Sequence, residues 1–243
     1  MTTSNLDSFV THAKALPAAV AISSNIEDRD SIFIGSLYRI SSLAEAERAL
    51  AHHKHVLHAS KPASHEISAW RFMTLRPGRN GLGGPSDFEV KSASDDDGEE
   101  HGGRTILRTM EKQGVIDALV IVSRWFGGTL LGPVRFTHIE TCTHEVCQTF
   151  KATEDVEAII EELKELDDKL SMLRSKLAAI SPADPSTDSV SSPAPVKNKL
   201  PDYNALLLTP APDLAKAKRL VNARQSAIRS VNSIITKVQT ENK

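Results

Sequence analysis

The chain has 243 residues, 40% of them hydrophobic and 25% charged, a composition that excludes disorder throughout and suits one cored domain of about 150 residues with appendages. With 29 basic against 31 acidic side chains the formal net charge is −2, so no overall field draws the chain to nucleic acid or to an anionic membrane. The longest strongly apolar stretch, Ala118 to Val122, falls far short of the roughly 20 residues of a membrane span, and with no basic-then-apolar start a cytoplasmic protein is expected.

Residues 1–30 are expected to form a poorly ordered N-terminal arm, with a short amphipathic possibility from Leu6 to Val20 broken by Pro17. The block 31–150 carries α/β signals. Ile32, Ile34, Tyr38 and Ile40 recur at strand period, and Ser42 followed by Glu45 is a capping-box opening for a helix over 43–53. Strands are predicted over 66–73, over 87–91 and over 118–126, the last buried and central because its apolar run is continuous. A helix over 104–113 is stopped by Gly114, and a further helix runs from about Pro133 to Phe150. The order β-α-β-β-α-β-α predicts an α/β domain with a mixed sheet and helices packed on it.

Beyond Phe150 the composition changes. Val156, Ile159, Leu163, Leu166, Leu170, Leu173, Leu177 and Ile180 alternate steps of three and four, the pattern of a coiled-coil helix over 151–180. Seven of the twelve prolines then fall between Pro182 and Pro212, which reads as a linker over 181–212 with no core of its own. A basic helix over 213–240 repeats Leu214, Val221, Ile228 and Ile235 every seven, with Arg224 as a charged intrusion in its second apolar series. The first helix is acidic in its first half and the last helix basic, so the two are expected to pair as a helical hairpin or to self-associate.

Two constellations could carry function. Asp95, Asp96, Asp97, Gly98, Glu99 and Glu100 precede Gly102, Gly103 and Arg104 at a helix start, where carboxylates complement the positive end of the helix dipole. A solvated acidic cap on a surface turn is the expected reading; a divalent-ion site lacks the alternating oxygen ligands of a calcium loop. The second runs from Ser123 through Arg124, Trp125, Phe126, Gly127 and Gly128 to Gly132, Pro133 and Arg135: a strand, a Gly-rich turn and a helix. No Gly-Lys-Ser/Thr follows, so it is not a phosphate loop of the usual kind. Arg124 and Trp125 face opposite sides of the strand, so only one of them can lie fully in the core. Trp125 and Phe126, locked by the glycines, are expected to be structurally intolerant.

Other polar groups point to chemistry less strongly. His52, His53, His55, His58 and His65 lack paired i, i+4 zinc geometry and are expected at the surface. His138, Cys142, His144 and Cys147 share one helix, which cannot wrap four ligands round a tetrahedral ion, and the two cysteines are not placed to form a disulfide. Arg71, Arg76, Arg79 and Lys91 with Trp70 and Phe72 are a candidate basic aromatic surface for nucleic acid.

Ser94 to Glu99 with the glycines at 102 and 103, then Val120 to Gly128 and Leu131 to Phe136, resemble the two signature blocks of the Impact family, in the form of its eukaryotic branch. The resemblance covers roughly residues 31–150. It implies a two-layer sandwich like the second domain of a small-subunit ribosomal protein, with that superfamily's left-handed crossover, and no established catalytic activity. It implies regulation of translation under amino-acid starvation, by inhibition of the pathway of the kinase that phosphorylates initiation factor 2, and a link to actin. The RWD domain of eukaryotic members has no counterpart in the 30 residues before the first predicted strand.

The function expected from these readings is that of a non-enzymatic regulatory protein that binds a component of the translation-stress kinase pathway or actin, with self-association through the coiled coil, no cofactor, no metal and no membrane. The alternative is a nucleic-acid or ribosome-associated binding protein. The partner-binding candidates are the residues of the two blocks.

Overall fold

The computed structural model describes residues 16–180, 201–207 and 212–241, in two compact units, Met1–Phe150 and Lys151–Lys243. In the first unit the strands are β1 (Ala21–Ile22), β2 (Ile26–Asp28), β3 (Ser31–Arg39), β4 (His65–Leu75), β5 (Phe88–Asp95) and β6 (Ala118–Trp125). Between them lie α1 (Leu43–His52), a π turn (His53–Leu57) and α2 (Gly102–Gln113); α3 (Val134–Ile180) follows β6. The N-terminal arm is corrected by β1 and β2, which pair with β3; its residues 1–15 lie outside the described residues.

The sheet order is β1-β3-β6-β4-β5, with β2 also on β3. Every pairing is antiparallel, so the expected mixed sheet is corrected. The helices do join strands that run the same way, as a β-α-β crossover must, but each crossover skips one position. β6 is inserted between β3 and β4, and β4 between β5 and β6, so no parallel strands are neighbours.

The expected two-layer sandwich is corrected too, since helices cover both faces. Val120 and Val122 of β6 share a core with Phe33, Ile67, Met110 of α2 and Ile139 of α3, whereas Leu119 and Ile121 pack with Tyr38, Phe72 and Ala46 and Ala49 of α1. The cause lies in β6 itself: Ala118 to Val122 is apolar at every position, so both faces need cover.

The helix boundaries follow local chemistry. Ser42 Oγ accepts from Glu45 N, and Glu45 Oε2 accepts from Ser41 N at 2.8 Å, a capping exchange shifted by one residue. Gly114 ends α2 in the left-handed region, φ 68°. β5 runs to Asp95, four residues past its predicted end. The helix predicted to Phe150 and the coiled-coil helix predicted over 151–180 are one continuous helix, α3, because Lys151 to Asp155 contain neither Gly nor Pro to stop it.

In the second unit α3 supplies Val156, Ile160 and Leu163 to a cluster shared with Ala217 and Val221 of α4 (Leu214–Glu241). Leu170 is also buried, and the other predicted heptad residues, Ile159, Leu166, Leu173, Leu177 and Ile180, are half-buried. Residues 181–200 and 208–211 of the predicted linker lie outside the described residues. Its segment 203–207 is no coreless linker: Tyr203, which precedes a short 3₁₀ turn, and Leu206, which ends it, are buried in the same cluster. Arg224, the charged intrusion, is met by Asp167 at 2.5 Å, and Asp167 also accepts from the Tyr203 hydroxyl at 2.5 Å.

Candidate functional site

The end of the sheet where β4 begins and β5 and β6 finish gathers the polar groups. Asp95 is exposed and closes β5, while Asp96 accepts from Gly103 N at 2.8 Å and His101 N at 3.0 Å, meeting the unpaired donors that open α2. The chain turns through Asp97, φ 41°, and Gly98, φ 84°. Asp97 Oδ2 accepts from Glu66 N at 2.7 Å, and its other oxygen lies 3.1 Å from Lys54 Nζ.

The turn delivers Glu99 inward, at 5% exposure, so for this residue the solvated cap is corrected. Its carboxylate pairs with Arg124 Nη1, from β6, and lies 2.5 Å from Arg135 Nε, from the first turn of α3. Here the two sequence blocks meet. Arg124, only 5% exposed, lies between Phe33 and Phe126, its guanidinium 5.3 and 5.6 Å from their ring centres. Of Arg124 and Trp125, the arginine takes the buried place, because a carboxylate waits there to neutralise it.

Phe126, expected with Trp125 to be structurally intolerant, is 44% exposed. With Leu130, 84% exposed, it rims a cleft of about 450 Å³ floored by Arg124, Glu99 and Arg135 and walled by His65, Leu131 and Gly132. Gly127 allows a close approach: a Cβ there would lie 2.1 Å from the Asp30 carbonyl carbon. Gly128 and Gly132 adopt φ 89° and 62°.

On the opposite face of the same strands lies a second polar group that the surface reading of the histidines missed. His53 is 3% exposed and Glu66 3%. The Tyr38 hydroxyl is 2.7 Å from His53 Nδ1, and His53 Nε2 is 3.0 Å from Ser123 Oγ. Ser123 Oγ donates to Glu66 Oε2 at 2.5 Å, and His58 Nδ1 is 2.6 Å from Glu66 Oε1. Burial pushes the Glu66 carboxyl up, but hydrogen bonds from His53, Ser123 and His58 outweigh it and leave it below the usual range. Tyr38 is pushed up to about 12, by burial and then by the Glu66 charge. Trp125, half-buried, lies with its ring centre 5.0 Å from that of His58 and donates its indole N–H to Lys61 O at 3.1 Å. Among the described residues, His53, His58 and Glu66 are the group able to converge on a metal ion. The signal in the sequence was the spacing of five between His53 and His58, which brings two side chains together only on a π turn.

Arg104 is not brought to either group. It is exposed on α2 and lines a separate cleft of about 400 Å³ with Arg108, Lys112, Phe136 and Glu140. The proposed basic aromatic surface is divided: Trp70 and Phe72 stack on the α1 side, while Arg71 reaches Val115 O at 2.8 Å on the other.

Residues 29–147 match the Impact N-terminal domain family. An IMPACT family member of Schizosaccharomyces pombe is 37% identical over 92 residues, covering 38% of this chain and 26% of that protein. Protein IMPACT of Rattus norvegicus is 33% identical over 137 residues, 55% of this chain and 38% of that protein. The chain thus spans about a quarter to two fifths of the length of these curated relatives. A solved structure of the two-domain translational regulator Yih1 is 33% identical, covering 51% of this chain and 44% of that one, with a TM-score of 0.34.

Proposed function

The chain belongs to the Impact family through residues 29–147, and on that footing we propose that it is a non-enzymatic regulatory protein of translational control, binding a partner protein at the rim of the Arg124 cleft. One observation carries this reading: the two sequence blocks close on each other through Glu99, Arg124 and Arg135 and turn Phe126 and Leu130 outward. An aromatic anchor beside a rigidly held arginine is the make-up of an interface hot spot. The partner is a component of the amino-acid-starvation kinase pathway acting on initiation factor 2, or actin, met in the cytoplasm. Self-association through the coiled-coil stripe of α3 would compete with the packing of that stripe on α4. No helix among the described residues is long and apolar enough to cross a membrane.

The test is capture of purified actin, and of the activator of the starvation kinase, by the full chain and by Phe126→Ala with Leu130→Ala. Both side chains are exposed, so the variant should fold. A tenfold or greater loss of capture, about 1.4 kcal/mol or more, supports the reading; capture equal to that of the unaltered chain refutes it. A second reading, binding of nucleic acid, is favoured by Arg104, Arg108 and Lys112 spaced four apart along one cleft. RNA affinity that falls steeply with salt and is lost in Arg104→Ala with Arg108→Ala selects it.

A further inference from the structure

His53, His58 and Glu66 stand apart from the partner surface, on the α1 side of the sheet. In an ordinary α-helix two residues five apart point about 140° away from each other. The π turn over His53–Leu57 removes that divergence, and the two imidazole ring centres lie 4.3 Å apart. Such turns are rare and gather at functional sites. Both rings face one buried carboxylate, and the three ligand atoms lie within 4.8 Å of one another.

One pair already has the spacing of an ion's ligands, and the other, His58 Nδ1 to Glu66 Oε1 at 2.6 Å, would open by about 1 Å as an ion replaced its hydrogen bond. His53 Nε2 is 3.5 Å from Glu66 Oε2, against about 3.4 Å for two ligands set tetrahedrally at about 2.0–2.1 Å from one zinc. The surroundings also resemble those of a metal ligand set. The nitrogen of His53 that faces away from the carboxylate is held by the Tyr38 hydroxyl at 2.7 Å, and the carboxylate is held by Ser123 Oγ at 2.5 Å. Outer partners of this kind fix the tautomer and the orientation of metal-binding side chains. His58 keeps 20% of its side chain exposed, which gives an ion a route from solvent.

We propose that His53 Nε2, His58 Nδ1 and the Glu66 carboxylate bind one late first-row divalent ion of the zinc class, with a fourth position left open. Two nitrogens and one oxygen suit zinc and its neighbours; calcium and magnesium demand oxygen. The protons balance as follows. Without metal, the Ser123 hydroxyl donates its hydrogen bond to Glu66, so His53 Nε2–H donates to Ser123 Oγ and Nδ1 accepts from the Tyr38 hydroxyl. On binding, the His53 proton moves to Nδ1, which then donates to the Tyr38 oxygen as the Tyr38 O–H turns away, and the His58 proton moves from Nδ1 to Nε2, so both imidazoles bind as neutral ligands with no net change in protons.

The experiment uses the full chain, stripped with chelator and titrated with Co²⁺ and then Zn²⁺. Expected are one Co²⁺ per chain, the visible absorption of a tetrahedral ion, and its bleaching by Zn²⁺. His58→Gln should abolish the band, Tyr38→Phe should weaken binding about tenfold, and His55→Gln, at an exposed neighbour, should leave it intact. In the unaltered chain one equivalent of Zn²⁺ should move the imidazole NMR signals of His53 and His58, a readout that needs no variant to fold. Failure to take up one Co²⁺, uptake lost equally in His55→Gln, or zinc shifts confined to other histidines each overturn the proposal.

Discussion

Replacing Glu99 with Gln separates a buried ion pair from a solvated cap. The carboxylate is 5% exposed and faces two guanidinium groups, one of them on Arg124, itself 5% exposed. A capping carboxylate at an exposed helix start contributes about 0.3–1 kcal/mol. Breaking a buried pair costs about 3–5 kcal/mol, because the surviving charge stays out of water without compensation. Gln keeps an acceptor oxygen, so the lower end, about 3 kcal/mol, is expected. Both tryptophans, Trp70 and Trp125, lie in the first unit, so tryptophan fluorescence in a urea titration reports that unit's unfolding alone. Adding Arg124→Met removes the stranded charge, and the double variant should recover part of the loss rather than sum two penalties. A cost below about 1 kcal/mol for Glu99→Gln, or strict additivity in the double variant, would refute this account of the site's base.

The adjacent glycines should behave differently. Gly128→Ala meets open space but keeps φ 89°, so about 1–2 kcal/mol of backbone strain is expected, whereas Gly127→Ala, whose Cβ would sit 2.1 Å from Asp30, should cost clearly more by the same titration. Asp28 is held at about 2, first by its hydrogen bond to Arg29 and then by that to His138. Its contribution to stability is therefore complete above its ordinary value of 3.8 and is lost as pH falls towards 2; a side-chain carbonyl NMR midpoint near 3.8 would contradict the pairing. In the second unit Leu163, fully buried, becomes Asp at a cost of several kcal/mol, and far-UV circular dichroism should show α4 losing helicity; Arg224→Leu, which leaves Asp167 without its cation, should destabilise the same unit less.

The strands were legible where the chemistry is local. A continuous apolar run announced β6, and Gly114 announced the end of α2. Glu99 was not legible, because within its own segment it is one acid among five, and the arginines that bury it come from a later strand and a later helix. His53 and His58 were hidden for a related reason: their spacing means nothing at 3.6 residues per turn and becomes a pair only when one turn widens. The mixed-sheet expectation failed on pairing order, which composition and periodicity do not encode. The π turn and the inserted strand are both tertiary choices, made where the resulting buried contacts outweigh local preference.

Both polar groups depend on the register of three residues of β6. Ser123 and Trp125 point to the α1 side and Arg124 to the other, so a slip of one residue would carry the arginine into the histidine group and strand Glu99. Side chains alone do not set that register. Phe126 N donates to Ser64 Oγ at 3.0 Å, and Gly127 N donates to Ser31 Oγ at 3.1 Å, so the serine just before β4 and the first residue of β3 grip the chain immediately after β6 ends. The second contact is possible only because residue 127 has no Cβ to strike Asp30. The glycine in the second sequence block is therefore a register pin: it holds Arg124 over Glu99 and releases the chain into the exposed Phe126–Leu130 rim at the point where sheet pairing stops.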